Sequence, residues 1–351
     1  MTARIAVVTG GAGFIGHHLV AALLAEGTQV RIVDPAPRPP CLPPMADYRS
    51  ATILDREALR AAFAGATEIY HVAAIAHLWI PHPERYETVN VEGTRLVLEV
   101  AAETRVPCIV VTSTETMLRD WQLRTREPVR ETTALPPLKR LAGAYTRSKA
   151  RAHALTMAAA EAGQPIRIVY PTIPLGPGDE ALTAPTVMIR DFLIGRVPAY
   201  LQSLMNYVPV EDAARGHILA ARRGQPGGRY ILSGEDLWLR QLLDLVERAS
   251  GRPMPRIAVP FWPAYLAGAL SSMASDWLTR SPPKAPLEGV RLVYAPRPVD
   301  GSLARQALGF RPGPVDAAVV RLIAWLEAAG HIRQLSRPDG QPGGSRVNLS
   351  R

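Results

Sequence analysis

The chain has 351 residues, 47% of them apolar, which is ample for a large core in one domain or two lobes. A net charge of +9 invites a nucleic-acid reading, but only Lys139, Lys149 and Lys284 are lysines, the arginines are scattered, and no basic block or zinc motif is present, so no nucleic-acid partner is expected. Two cysteines, Cys41 and Cys108, make no disulfide framework; with Cys108 inside the apolar run PCIVV, a cytoplasmic location is expected.

In chain order, RIAVVTG reads as a strand, GFIGHHLVAALLAEG as a helix and QVRIVD as a second strand. The first strand begins within four residues of the start, so no signal peptide is expected. Helical LDREALRAAFAG leads to the strand TEIYHVAA, the helix NVEGTRLVLEVAAET and the strand PCIVVTS. A helix around YTRSKARAHALTMAAAEAG precedes the strand IRIVYPT. Buried strands alternating with helices predict a parallel sheet covered on both faces. Beyond residue 172 the texture changes to helices such as TVMIRDFLIG and WLRQLLDLVERAS between proline-rich loops, with an isolated strand GRYILSG. This predicts a dinucleotide-binding domain over 1–172, to which some later segments return, a mixed substrate lobe over 173–330, and a disordered tail over 331–351.

Gly10, Gly13 and Gly16 are spaced G-x-x-G-x-x-G at the first strand-to-helix junction, with Phe14 and Ile15 between the last two. The first glycine permits a tight turn, the second lets backbone approach a pyrophosphate, and the third lets helix and strand pack closely. Asp34 ends the next strand, eighteen residues after Gly16, where it would bind an adenosine ribose and repel a 2′-phosphate. These features predict NAD, with NADP as the second choice should Arg38, four residues on, fold back to a 2′-phosphate. Asp55 is a candidate for the adenine edge and, equally, a helix N-cap.

Tyr145 and Lys149 stand four residues apart in YTRSK, on one face of a helix. An ammonium beside the phenol is expected to lower its pKa and fit Tyr145 for acid–base work, while Lys149 also anchors the nicotinamide ribose. The strand PCIVVTSTE ends in Thr112, Ser113 and Thr114, hydroxyls that could hold a substrate oxygen as charge develops.

TGGAGFIG, Asp34, HVAA, NVEGT, the hydroxyl run, YTRSK and YPTIPLGPGD together resemble the extended short-chain dehydrogenase/reductases over residues 4–330. The resemblance implies a Rossmann doubly wound parallel sheet with a smaller mixed α/β C-terminal substrate lobe. It also implies a catalytic set of Thr114, Tyr145 and Lys149, with Ser113 as fallback for the hydroxyl. Asn90 would support the site, Ala73 and Ala74 would lie against the cofactor, and Pro171 with Thr172 would form the turn beside the nicotinamide. YVPVEDAARGHILA, RYILSGEDL and ARQALGFRPGPV are similar to the hopanoid-associated sugar epimerase, dihydroflavonol-reductase-like and 3-beta-hydroxysteroid-dehydrogenase-like group. A homodimer built on the NVEGTR and YTRSKARAHAL helices is implied as well.

Two reactions stay open: a dehydrogenase acting on a secondary alcohol or ketone, and an NAD-retaining epimerase or dehydratase of sugars, for which Arg190, Arg196 and Arg215 could clasp a diphosphate. A third reading, a non-catalytic NAD-binding sensor, accords poorly with a retained Tyr145–Lys149 pair. Residues 257–275 carry no charge, and a helix over 264–278 would span only about 22 Å, short of a ~30 Å bilayer core. That segment is expected to be a core or lid helix, or to line an apolar entrance and rest peripherally on the inner membrane face. The substrate expected from it is small, alicyclic or lipid-like.

Overall fold

The computed structural model describes residues 4–123, 125–283, 285–294 and 296–333; most of the segment read as a tail, 334–351, lies outside the described residues. The first half runs β1 (Ile5–Thr9), α1 (Phe14–Ala25), β2 (Gln29–Asp34), β3 (Asp47–Ser50), α2 (Arg56–Phe63), β4 (Glu68–His71), α3 (Gly93–Glu103), β5 (Ile109–Thr112), α4 (Ala144–Glu161) and β6 (Ile166–Pro171). A π turn over Tyr86–Glu92 leads into α3, and a 3-10 turn over Glu115–Leu118 follows β5. Then come β7 (Ile173–Leu175), α5 (Ala184–Leu193), β8 (Ala199–Leu201), β9 (Leu204–Pro209), α6 (Val210–Arg223), β10 (Arg229–Leu232), β11 (Glu235–Trp238) and α7 (Leu239–Ser250). The chain continues with β12 (Ile257–Val259), α8 (Phe261–Ala274), α9 (Leu287–Tyr294), α10 (Ser302–Leu308) and α11 (Val315–Ala328).

Seven strands form one parallel sheet in the order β10-β6-β5-β4-β1-β2-β3. Because helices cover both faces, its inner strands are apolar at nearly every position rather than alternately. Successive residues feed opposite cores: Val7, Ile69, Ile109 and Ile168 pack with α2, α3 and α4, whereas Val8, Tyr70, Val110 and Val169 pack with α1, α6 and α10. The strand order reverses between β1 and β4, so the ends of these two strands open the crevice where such sheets hold ligands.

Two edges depart from the sequence expectation. β3, with the polar sequence DYRS, carries no apolar run to reveal it, because an edge strand can face water. The strand GRYILSG is not isolated in the lobe: as β10 it pairs with β6 and completes the main sheet. The remaining strands make a three-stranded sheet, β11-β9-β7, and the pair β12-β8. Together with α5, α7 and α11 the three-stranded sheet encloses a third core around Leu242, Leu243, Val319 and Leu322.

Candidate active site

Each glycine of the first loop answers a different steric demand. Gly10 has φ +74°, and a Cβ there would lie 2.6 Å from the Ala73 backbone. A Cβ on Gly16 would lie 2.0 Å from the Gly10 carbonyl oxygen. Gly13 is exposed and would meet only the Gly10 oxygen, at 3.3 Å, so protein packing does not require glycine there. What its missing side chain leaves open is the approach to the N-terminus of α1. That terminus has no side-chain cap and no acid in its first turn, so the N–H groups opening at Phe14 and Ile15 stay available to an anion. Asp34 is buried at the end of β2; its Oδ2 accepts from Ala12 N (3.0 Å) and its Oδ1 from Ala36 N (2.9 Å). The carboxylate thus ties the glycine loop to the second strand, and each oxygen keeps a further lone pair. The donors, the open Gly13 and the carboxylate fit a dinucleotide.

Asp55 caps α2, its Oδ1 accepting from Glu57 N and Ala58 N, which is the plainer of its two expected roles. Arg38 is bonded to the Pro43 and Ala46 carbonyls and lies over the Tyr48 ring, anchored within its own loop.

The catalytic candidates converge beyond the end of β5. The Thr114 side chain faces the Tyr145 phenol while its Oγ1 shares a hydrogen bond with Thr116 Oγ1 at 2.9 Å, and Lys149 Nζ donates to the Thr112 carbonyl at 2.8 Å from a buried position. Ser113, one residue from Thr114 and on the opposite face of the chain, donates to Met117 Sδ at 3.5 Å. Thr114 is therefore the hydroxyl that meets Tyr145. Thr172, directly after β6 ends at Pro171, spends its own hydroxyl on the Leu232 carbonyl.

The expected lowering of the tyrosine pKa does not occur in this geometry. Burial pushes the Tyr145 phenol up to about 12, opposed by the facing Thr114 side chain and reinforced by the Glu288 and Glu115 carboxylates. The same burial brings Lys149 down to about 8. Sequence spacing places a charge near a phenol, but removing both from water costs each its ionised form.

Asn90 joins three parts of the site. Its Oδ1 accepts from Ile75 N (2.7 Å), and its Nδ2 donates to Ile75 O (3.1 Å) and to Ser148 Oγ (2.9 Å). Ser148 in turn donates to the Tyr145 carbonyl. The loop through Ala73 and Ala74 is thus pinned to the helix that carries Tyr145. The other pin is Glu288, which the sequence did not disclose. From α9 its carboxylate accepts from Tyr145 N (3.1 Å) and Thr146 N (2.8 Å), capping α4 from 143 residues away. A Cβ on Gly143 would strike that carboxylate at 2.1 Å, so the glycine before α4 makes room for it. No local pattern could have exposed this pair.

An aromatic wall stands beside the start of α4. Trp121 stacks on Tyr265, Phe261 stacks on Tyr294, and Arg291 lies over Trp121 while donating to Tyr265 Oη and the Ala142 carbonyl.

Residues 6–233 match the model of the NAD dependent epimerase/dehydratase family. The chain belongs to that family. Its members include the extended short-chain dehydrogenase/reductases, and the chain is an enzyme of that class, with NAD as its cofactor. A Synechocystis protein named dihydroflavonol 4-reductase is 33% identical over 335 residues, covering 93% of this chain and 95% of the relative. Sterol demethylase protein B of Methylococcus capsulatus is 29% identical, with 93% and 99% covered. The 3-beta-hydroxysteroid dehydrogenase of Mycolicibacterium neoaurum is 29% identical, with 87% and 86% covered. Among solved structures, that of gox2253 superposes with a TM-score of 0.82 at 30% identity, covering 94% of this chain and 100% of the other. UDP-glucose 4-epimerase from Thermotoga maritima shares the fold at 20% identity and a TM-score of 0.75. Gly10, Gly13, Gly16 and Asp34 meet at the β1–α1 junction, Thr114, Tyr145 and Lys149 gather beyond β5, and Asp55 stands at the start of α2.

Proposed function

We propose that this enzyme interconverts a secondary alcohol and a ketone on an alicyclic or lipid-like substrate, with Tyr145 as acid and base. The observation that carries the proposal is the gathering of Thr114, Tyr145 and a buried Lys149, whose Nζ is fixed on the Thr112 carbonyl, at the end of a parallel strand. NAD, once bound, accepts or supplies the hydride. The chain does the rest. Tyr145 Oη gives its proton to the carbonyl oxygen during reduction, or takes the hydroxyl proton during oxidation. Thr114 Oγ1 holds the same oxygen as its charge changes, and Lys149 places a cation beneath the phenol and binds the nicotinamide ribose. Gly10, Gly13 and Gly16 cradle the diphosphate, while Asp34 takes the adenosine ribose; the tethering of Arg38 within its own loop favours NAD over NADP.

The substrate class follows from the aromatic wall of Trp121, Phe261, Tyr265 and Tyr294, and accords with relatives named for a steroid and a sterol. We take 173–330 as the substrate lobe, with 257–278 as an apolar approach that rests peripherally on the inner membrane face of a cytoplasmic enzyme. The arginines offered for a sugar diphosphate are already paired: Arg190 and Arg196 with Asp191, and Arg215 with Asp212. A homodimer through α3 and α4, which lie side by side, completes the proposal.

The test follows NAD(H) absorbance while alicyclic alcohols, their ketones and nucleotide-sugars are supplied. Net cofactor change with an alcohol or ketone is expected; sugar product without it would establish an epimerase or dehydratase instead. Tyr145→Phe is expected to bind NAD normally and to lose about 10²- to 10⁴-fold in turnover. Unchanged turnover in that variant would refute the mechanism. With the phenol held protonated to about 12 and Lys149 losing its charge near 8, ketone reduction is expected to fall above pH 8 through Lys149 while the Tyr145 proton stays in place, and alcohol oxidation to rise with pH relative to it; oxidation falling in parallel with reduction would remove Tyr145 as the base.

A further inference from the structure

The two faces of α8 differ sharply. Its inner side carries Phe261 and Tyr265 of the aromatic wall, and Gly268 is buried where a Cβ would lie 3.1 Å from Val290 of α9. Its outer side presents Trp262, Leu266, Leu270 and Met273, which at 100° per residue fall within an arc of about 80°. The π turn Ser275–Thr279 prolongs this surface with Trp277 and Leu278. These six large apolar side chains are 58% to 84% exposed. Isolated exposed leucines are ordinary, but a continuous stripe of this kind marks an interaction surface.

Charge identifies the occupant. Between Arg256 and Arg280 the single ionisable acid is Asp276, which accepts from Trp79 Nε1 at 2.7 Å. Arg280, at the far end of the segment, is exposed with its guanidinium near the Pro81 carbonyl, whereas Arg256 at the near end is paired with Asp244 and Glu247. A helix with one apolar face, tryptophans near both ends and the exposed Arg280 at its C-terminal end fits the interface of an anionic bilayer, where indole rings settle at headgroup depth. No helix among the described residues is long and apolar enough to cross a membrane, so this one would lie in the surface plane. A bilayer accepts one narrow convex stripe, whereas a stable partner protein requires roughly 800 Å² from each side.

We infer that α8 and its π turn seat the enzyme on an anionic lipid surface, with Trp262, Leu266, Leu270, Met273 and Trp277 entering the headgroup–acyl boundary. This deepens the peripheral contact proposed above and does not depend on the reaction assigned to Tyr145. The seat also bears on the site: Tyr265 on α8 accepts from Arg291, Arg291 donates to the Ala142 carbonyl, and Glu288 on the same α9 caps the Tyr145 helix. An apolar substrate leaving the bilayer would meet the aromatic wall first.

The test is sedimentation of the full chain with vesicles of phosphatidylcholine alone or mixed equally with phosphatidylglycerol, without substrate. Binding to the mixed vesicles is expected, weakening with added salt, together with a blue shift of tryptophan emission. The double variant Trp262→Glu/Trp277→Glu is expected to lose about tenfold or more in partitioning while keeping NAD binding and Tm. Leu266→Glu/Leu270→Glu should behave alike and guards against a folding defect in the first pair. Failure of the wild type to bind mixed vesicles, or equal binding by both variants, would overturn the inference. So would a stripe buried between copies, seen as a wild-type dimer that ignores vesicles and becomes monomeric in either variant. Because no turnover is measured, absence of alcohol oxidation elsewhere would count against the proposed reaction and leave this result intact.

Discussion

α1 and α8 are built from similar material and end in opposite environments. FIGHHLVAALLA and FWPAYLAGALSSMA contain no acid, lysine or arginine, and either could serve as a core helix. α1 does so: Leu19, Val20 and Leu23 are sealed between the sheet and α6 with Ala213, Ala214 and Ile218. α8 buries only Gly268. The difference teaches that apolar composition states a helix's demand for cover, and that cover is supplied by neighbours distant in sequence. Where the described residues supply none, something else is the natural partner.

The comparison can be broken or sharpened by substitution, and the largest effect is expected at the head of α1. Gly16→Val places side-chain atoms against the Gly10 carbonyl and should abolish NAD binding measured by calorimetry; retained affinity would show that the loop tolerates a displaced helix. Next in size, Leu19→Ala should cost about 2–5 kcal/mol in denaturant unfolding, as for a sealed core position. Glu288→Ala tests the tie from α9 to the active site. It strips two buried N–H groups of their acceptor, with an expected cost of about 1–3 kcal/mol and a fall in kcat; unchanged kcat would make the cap purely structural.

A smaller, pH-dependent effect should also separate the helices. Burial lowers His17 on α1 to about 4, helped by the neighbouring His18. The unfolded chain therefore binds its proton near the ordinary value of 6.5 and the folded chain only near 4. The stability is complete above 6.5 and is lost as pH falls toward 4, at up to about 1.4 kcal/mol per pH unit. His17→Asn should remove its share of the acid slope in unfolding measurements and leave the shares of the buried His71, His153 and His217, and Trp262→Phe on α8 should leave the slope alone. The smallest effect is expected from Leu266→Ala, within about 0.5 kcal/mol in solution, since its side chain already faces water. A loss equal to that of Leu19→Ala would mean α8 is covered in solution.

Much of the catalytic end was legible because its signals are local. The glycine loop lies at one strand–helix junction, Asp34 ends the next strand, and Tyr145 and Lys149 share one helix face, so spacing alone brings them into register. The family resemblance ranked Thr114 before Ser113, but the strand pattern alone could not, since neighbouring residues leaving a strand point opposite ways; the packing of Ser113 on Met117 agrees with that ranking. The tyrosine's acidity was misjudged for a related reason. Proximity to Lys149 can be read from a four-residue interval, but the depth of burial that outweighs it cannot.

The sequence by itself determined that β1 turns into α1 through a glycine loop, that a hydroxyl–Tyr145–Lys149 set follows β5, and that 257–275 is uncharged. These are short-range facts, carried by strand and helix periodicity and by the steric freedom of glycine. Only the tertiary structure decided that GRYILSG closes the main sheet, that Glu288 caps the Tyr145 helix, and that α1 is sealed while α8 keeps one face exposed. Burial is a sum over neighbours brought together by the whole fold, and no window of sequence contains it.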